Sequence, residues 1–111
     1  MIEVVGNKMI IDGEKWKFKE KISEAICYYD KIVVVFKTKK EDGCDNVYCY
    51  NKKGKFLWRI KPVPREIGGT IKTSYVGVGV IGDACKVVDF YGRRFTVNMH
   101  DGNVISMDIV K

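Results

Sequence analysis

Residues 77–82, Gly77-Val78-Gly79-Val80-Ile81-Gly82, spell G-x-G-x-x-G. In a dinucleotide site these glycines bring backbone amides against a pyrophosphate at the mouth of a helix. The chemistry needs a helix after the motif. Here the chain continues as Asp83-Ala84-Cys85-Lys86-Val87-Val88-Asp89-Phe90, which reads as a second strand, so the motif is a glycine-interrupted strand that a neighbour approaches closely. His100 is the single histidine and falls in the turn Met99-His100-Asp101-Gly102. Cys44 and Cys49 stand five apart with no C-x-x-C anywhere, which does not make a zinc site. Glu41-Asp42-Gly43-Cys44-Asp45-Asn46 offers oxygens but not the alternating ligand spacing of a calcium loop. Ser74 and Ser106 have no base that the sequence brings to them. Asp83 and Asp89, the carboxylates available for acid–base work, read as a turn residue and a strand-face residue. The expectation is a chain with no catalytic, cofactor-binding or metal-binding residues, and not an enzyme.

The charge carries more information. Twenty Lys and Arg against fourteen Asp and Glu give +6 over 111 residues, which favours acidic partners. From Glu14 to Ile22 the chain alternates: Lys15, Lys17, Lys19 and Lys21 fall on one strand face and Trp16, Phe18 and Ile22 on the other. Tyr28, Tyr29, Tyr48, Tyr50 and Trp58 interleave with the basic residues, the mixture that binds single-stranded nucleic acid when bases stack on the rings. Of the four cysteines, Cys27, Cys49 and Cys85 sit in apolar strand-like surroundings and Cys44 in a polar loop. No basic leader precedes an apolar stretch at the N-terminus. A cytoplasmic protein with reduced thiols is expected, Cys44 being the exposed one.

The elements that must position these residues are strands from one end to the other. Ile32-Val33-Val34-Val35-Phe36 is continuously apolar, as a strand covered on both faces is. Turn glycines recur: Gly54 and Gly102 stand 48 residues apart, and Gly13 lies 41 before Gly54. Periods near 40 to 50 with four strands per unit belong to propeller blades. The expected fold is all-β: a single domain with an incomplete first unit over 1–22, a four-stranded meander over 23–61 and another over 71–111. Lys61 to Gly69, with its two prolines, is the crossover between the last two. A five-stranded oligonucleotide-binding barrel is the rival architecture.

Residues 46–59, Asn46-Val47-Tyr48-Cys49-Tyr50-Asn51-Lys52-Lys53-Gly54-Lys55-Phe56-Leu57-Trp58-Arg59, are similar to the x-V-Y-A-L-D-x-x-T-G-K-x-L-W signature of quinoprotein-type propeller repeats. Gly92 to Ile105 resembles a degenerate copy without the tryptophan. With between two and three units, the chain resembles small bacterial half-propeller proteins, some of which are immunity proteins to secreted toxins. The resemblance implies a non-catalytic protein-binding module whose open blades need a partner or a second copy. Lys15, Lys17, Lys19 and Lys21, with Arg93 and Arg94 as charged anchors, are the expected partner-binding residues. Single-stranded nucleic-acid binding is the alternative function.

Overall fold

The computed structural model describes residues 2–38 and 44–109. Among the described residues eleven strands form three separate antiparallel meanders. The first sheet holds β1 (Ile2–Val5), β2 (Lys8–Ile11) and β3 (Glu14–Lys17). The second holds β4 (Ile22–Tyr28), β5 (Lys31–Phe36), β6 (Val47–Asn51) and β7 (Phe56–Arg59). The third holds β8 (Tyr75–Ile81), β9 (Ala84–Asp89), β10 (Arg93–Val97) and β11 (Val104–Ile109). The all-β, blade-like architecture read from the turn glycines is the observed one. The barrel is not, because the described strands make three sheets with their own edges. The motif at 77–82 runs along β8 and into the two-residue turn to β9. The stretch between β7 and β8 is a crossover as expected, with one 3-10 turn at Arg65–Ile67.

The sheets stack face to face, and the alternation of side chains in β5 explains why. Ile32, Val34 and Phe36 bury against Met9 and Ile11 of the first sheet. Val33 and Val35 bury with Cys49 and Trp58 against Tyr75, Val87, Phe95 and Val97 of the third. Ile32 to Val35 are fully buried, each worth about 1.5–3 kcal/mol of apolar burial. A strand that is apolar at every position therefore marks the middle layer.

Across-strand rows show how the stack ends. Val4, Met9 and Trp16 form a row on the first sheet that faces the second. Ile26, Val33, Cys49 and Trp58 form the corresponding row of the second sheet, facing the third. On the third sheet the row on the far side from the second is Gly79, Lys86, Thr96 and Ser106. Beside it Arg94 binds Asp108 through two guanidinium nitrogens, with Lys86 3.8 Å from the same carboxylate. The outward side of the first sheet carries Lys8, Lys15 and Lys17, with Glu3, Val5 and Ile10 between them. Charged side chains thus mark both terminal faces, as they do the outer faces of terminal repeats in stacked arrays.

The alternation from Glu14 to Ile22 is not one strand. β3 stops at Lys17, and residues 19 and 20 bend. The Phe18 N–H donates to the Asn7 carbonyl, the Asn7 side-chain amide donates back to the Phe18 carbonyl, and the Ile22 N–H donates to the Gly6 carbonyl. The β1–β2 turn thus steers the chain out of the first sheet and into the second.

Candidate binding groove

The connections fall into two sets. The first set is the tight hairpins within a sheet, at Gly6–Asn7, Asp12–Gly13, Tyr29–Asp30, 52–55, Gly82–Asp83, 90–92 and 98–103. The second set is 18–21 and 60–74, which pass from one sheet to the next, and 37–46, which joins β5 to β6. Loops free of the ladder are where binding residues concentrate. The described residues of the second set carry Lys19, Lys21, Lys37, Lys61, Arg65 and Lys72 against Glu20, Asp45 and Glu66. The hairpins at Asp12–Gly13, Tyr29–Asp30, Gly82–Asp83, 52–55 and 98–103 carry Lys52, Lys53 and Lys55 against Asp12, Asp30, Asp83 and Asp101. One set is basic and the other is not.

Between the 18–21 connection and the ends of β5 and β6 opens a groove of about 1110 Å³. Among the described residues its cations are Lys19, Lys21, Lys37 and Arg59, and Glu20 is the one carboxylate that lines it. Its apolar wall is aromatic: Phe18, Phe36, Tyr48, Tyr50 and Tyr75. The rings brace one another mainly edge to face, Phe18 against Phe36 with centroids 5.2 Å apart and Phe36 against Tyr48 at 5.3 Å. Trp16 closes the row against Tyr50 at 6.1 Å. The Arg59 guanidinium lies 5.3 Å from the centre of the Tyr48 ring while its Nε donates to the Asp45 carbonyl at 2.6 Å, which fixes a cation at the rim. Burial pushes the Tyr50 hydroxyl above its ordinary pKa, with Tyr48 adding to the effect, and burial raises Tyr75 further. Both stay neutral at physiological pH.

Asn46 holds the groove to the third sheet. It is buried, and its amide donates to the carbonyls of Phe36 at 2.6 Å and Tyr75 at 2.8 Å while its Oδ1 accepts from the Tyr75 N–H at 2.8 Å. Sequence reasoning missed Asn46, Lys37 and Arg59. A polar residue directly before the apolar strand Val47–Asn51 was the available signal for Asn46.

The expected lysine face divides. Lys19 and Lys21 line the groove, whereas Lys15 and Lys17 lie on the outward side of the first sheet with Lys8. Arg93 is not the exposed anchor expected of it. Its Nε donates to buried Asp89 at 2.7 Å and its terminal nitrogens donate to the carbonyls of Gly68 and Ile71 at 2.9 and 2.8 Å. It fastens the crossover to the β9–β10 hairpin. Arg94 is half-buried and held by Asp108. Asp83 lies in the β8–β9 turn and Asp89 at the far end of β9, so the two carboxylates are apart. His100 is exposed in the β10–β11 turn, where its backbone N–H donates to Asn98. Cys27, expected in the core, is exposed on β4, whereas Cys49 and Cys85 are buried. Glu41, Asp42 and Gly43 of the acidic loop lie outside the described residues. Among the described residues no three His, Cys, Asp or Glu side chains converge as metal ligands, and no helix is long and apolar enough to cross a membrane.

No curated protein matches the chain. A family model does, and it spans residues 1–109, which takes in all three sheets and the groove: the chain belongs to the family described as Domain of unknown function (DUF7957).

Proposed function

We propose that this chain is a non-catalytic protein-binding module that seats an acidic segment of a partner protein in the basic, aromatic-walled groove, as an immunity protein covers the active site of a toxin in the cytoplasm. The observation that carries the reading is the lining itself: Lys19, Lys21, Lys37 and Arg59 against Glu20, around a wall of braced rings. Cations at the rim steer an acidic partner and set its orientation. The rings and the fixed guanidinium supply the buried anchors that carry most interface energy. The same arrangement disfavours single-stranded nucleic acid. A base stacks on an open ring face, and here Arg59 covers Tyr48 while Phe18, Phe36 and Tyr50 meet one another's edges or tilted faces.

The test uses the purified products of the genes flanking its own, with co-expression to score neutralisation of any toxic one. Binding by one of them that falls at least about tenfold in a Lys19→Glu, Lys37→Glu double variant of unchanged melting temperature, and that weakens with added salt, is the expected result. Absence of binding by every flanking product overturns the reading. A labelled oligodeoxythymidine that binds tighter than about 100 μM, with affinity falling as salt rises, replaces it with the nucleic-acid reading.

A further inference from the structure

Among the described residues the first sheet has three strands and its neighbours have four, and three observations identify the position that no described strand fills. Trp16 on β3 lies 3.9 Å from a Cβ built on Gly54 of the next sheet, as Trp58 on β7 lies against Gly102 of the one after. β3 is therefore the counterpart of β7, a fourth strand. Next, β1 packs against β4 as β5 packs against β8, which makes β1 a second strand. Finally, the turns agree. With two turn residues, Gly6 and Asn7, the pair Val5 and Lys8 exchanges backbone bonds, so Val4 turns its N–H and C=O away from β2. By the same rule, across the two-residue turn Tyr29–Asp30, Val33 turns its own toward Ile26 on β4. What β4 is to β5, nothing in the described chain is to β1.

We propose that the free edge of β1 takes up a β-strand donated by the partner protein, antiparallel to β1 and packed on β4. The inference rests on the protein-binding reading but uses a different surface from the basic groove. The new interface continues the one that β4 already makes with β8, and that interface specifies the donor. Ser23 Oγ donates to the Val76 carbonyl at 2.9 Å, Glu24 accepts from the Val78 N–H at 3.3 Å, and the Tyr28 hydroxyl donates to the Asp83 carbonyl. Bulges after Ile22 and after Tyr75 set the two strands level. By register, the positions that correspond on β4 to the Val76 carbonyl, the Val78 N–H and the Asp83 carbonyl are the Ser23 carbonyl, the Ala25 N–H and the Asp30 carbonyl. The donor is accordingly an apolar strand with a hydroxyl and a carboxylate near its start and a tyrosine at its end. The two edges of the first sheet differ in the way this requires. β3 is guarded by Lys15 and Lys17, which oppose edge pairing, whereas β1 presents Ile2, Val4 and Val5 with a single charge at Glu3. Val4 and Val5 are 36% and 71% exposed. A second copy does not supply it: its β1 has neither hydroxyl nor tyrosine, its β3 carries the lysines, and its β4, which has the pattern, is already packed between β1 and β8 of its own chain.

A labelled peptide with the sequence of β4 and the change Cys27→Ser tests the acceptor. Saturable, salt-insensitive anisotropy is expected, with exchange of the Val4 amide slowed at least about tenfold while Glu3 and Val5, already bonded to β2, change little. Val4→Pro removes the edge N–H without touching the β2 ladder and is expected to abolish binding at an unchanged circular dichroism spectrum. If that variant unfolds, the exchange measurement on the native chain decides alone. No binding, equal binding of a scrambled peptide, or unslowed Val4 exchange overturns the proposal. Protection of Val4 by a concentration-dependent dimer without peptide also overturns it, in favour of a second copy. The Lys19→Glu, Lys37→Glu variant should bind the peptide normally, so failure of the groove and failure of the edge are separate results.

Discussion

At the scale of single residues, the buried charge pair has the clearest consequence. Asp89 is 2% exposed, and its carboxylate accepts from the backbone N–H of Tyr91 and Arg93 as well as from the Arg93 side chain. Arg93→Ala strands that charge and frees the crossover, and is expected to lower stability to urea by about 3–5 kcal/mol. Adding Asp89→Asn should recover part of the loss, because the unpaired charge goes with it. The surface pair behaves differently. The Arg94 hydrogen bond holds the Asp108 carboxyl below its ordinary range, against a smaller desolvation effect. A carboxyl lowered in the folded state adds stability above its unfolded pKa of about 4 and loses it as pH falls further. Asp108→Asn should therefore lower stability slightly at neutral pH and flatten the acid limb, the variant and the native chain converging as pH falls below the unfolded carboxyl pKa of about 4. The thiols sort by burial. Desolvation pushes Cys49 up to about 11 and Cys85 up to about 12, which leaves almost no thiolate at pH 8. Iodoacetamide followed by mass spectrometry should label exposed Cys27 in the native protein and Cys49 and Cys85 only after unfolding.

At the scale of elements, the sheets are keyed together by a tryptophan of one against the turn glycine of the next. Gly102 has φ +81, and a Cβ there would come within 2.6 Å of Trp58, whereas at Gly54, with φ +87, the nearest approach is 3.9 Å to Trp16. Gly54→Ala meets only the left-handed conformation, about 1–2 kcal/mol. Gly102→Ala adds a clash worth roughly 1–3 kcal/mol more and displaces a ring whose Nε1 donates to the Met99 carbonyl at 2.9 Å. Thermal melts of the two variants should separate by several degrees in that order. These glycines also show what was legible in the sequence. Their spacing gave away the repeated hairpin, and the unbroken Ile32–Phe36 run gave away the middle layer, because both are local patterns with one physical cause. The groove was not legible. It depends on the bend after Lys17, which a lysine alternating with an aromatic conceals, and on Arg59 reaching Tyr48 across the β6–β7 pair. Arg93 was misjudged for a related reason, since only the fold brings the 68–71 crossover over it.

At the scale of the whole molecule, the question is whether three stacked sheets close into a ring with further copies. Head-to-tail closure would press the outward side of the third sheet, with Lys86, Arg94 and Asp108, against the outward side of the first, with Lys8, Lys15 and Lys17. Cations then outnumber carboxylates on both contributors, and the ring-forming tryptophan has no successor, because Ser106 stands in the row where Trp16 and Trp58 stand in theirs. Burying such faces costs desolvation that like charges do not return. The isolated chain is therefore expected to sediment at its own mass of 12.7 kDa across a roughly hundredfold range of concentration. Replacing Lys86, Thr96 and Ser106 by valine, valine and tryptophan would restore an apolar forward row like that of the second sheet. Concentration-dependent assembly should appear in that variant and not in the native chain. Assembly of the native chain through these faces would show that the charged ends are an interface and not a stop.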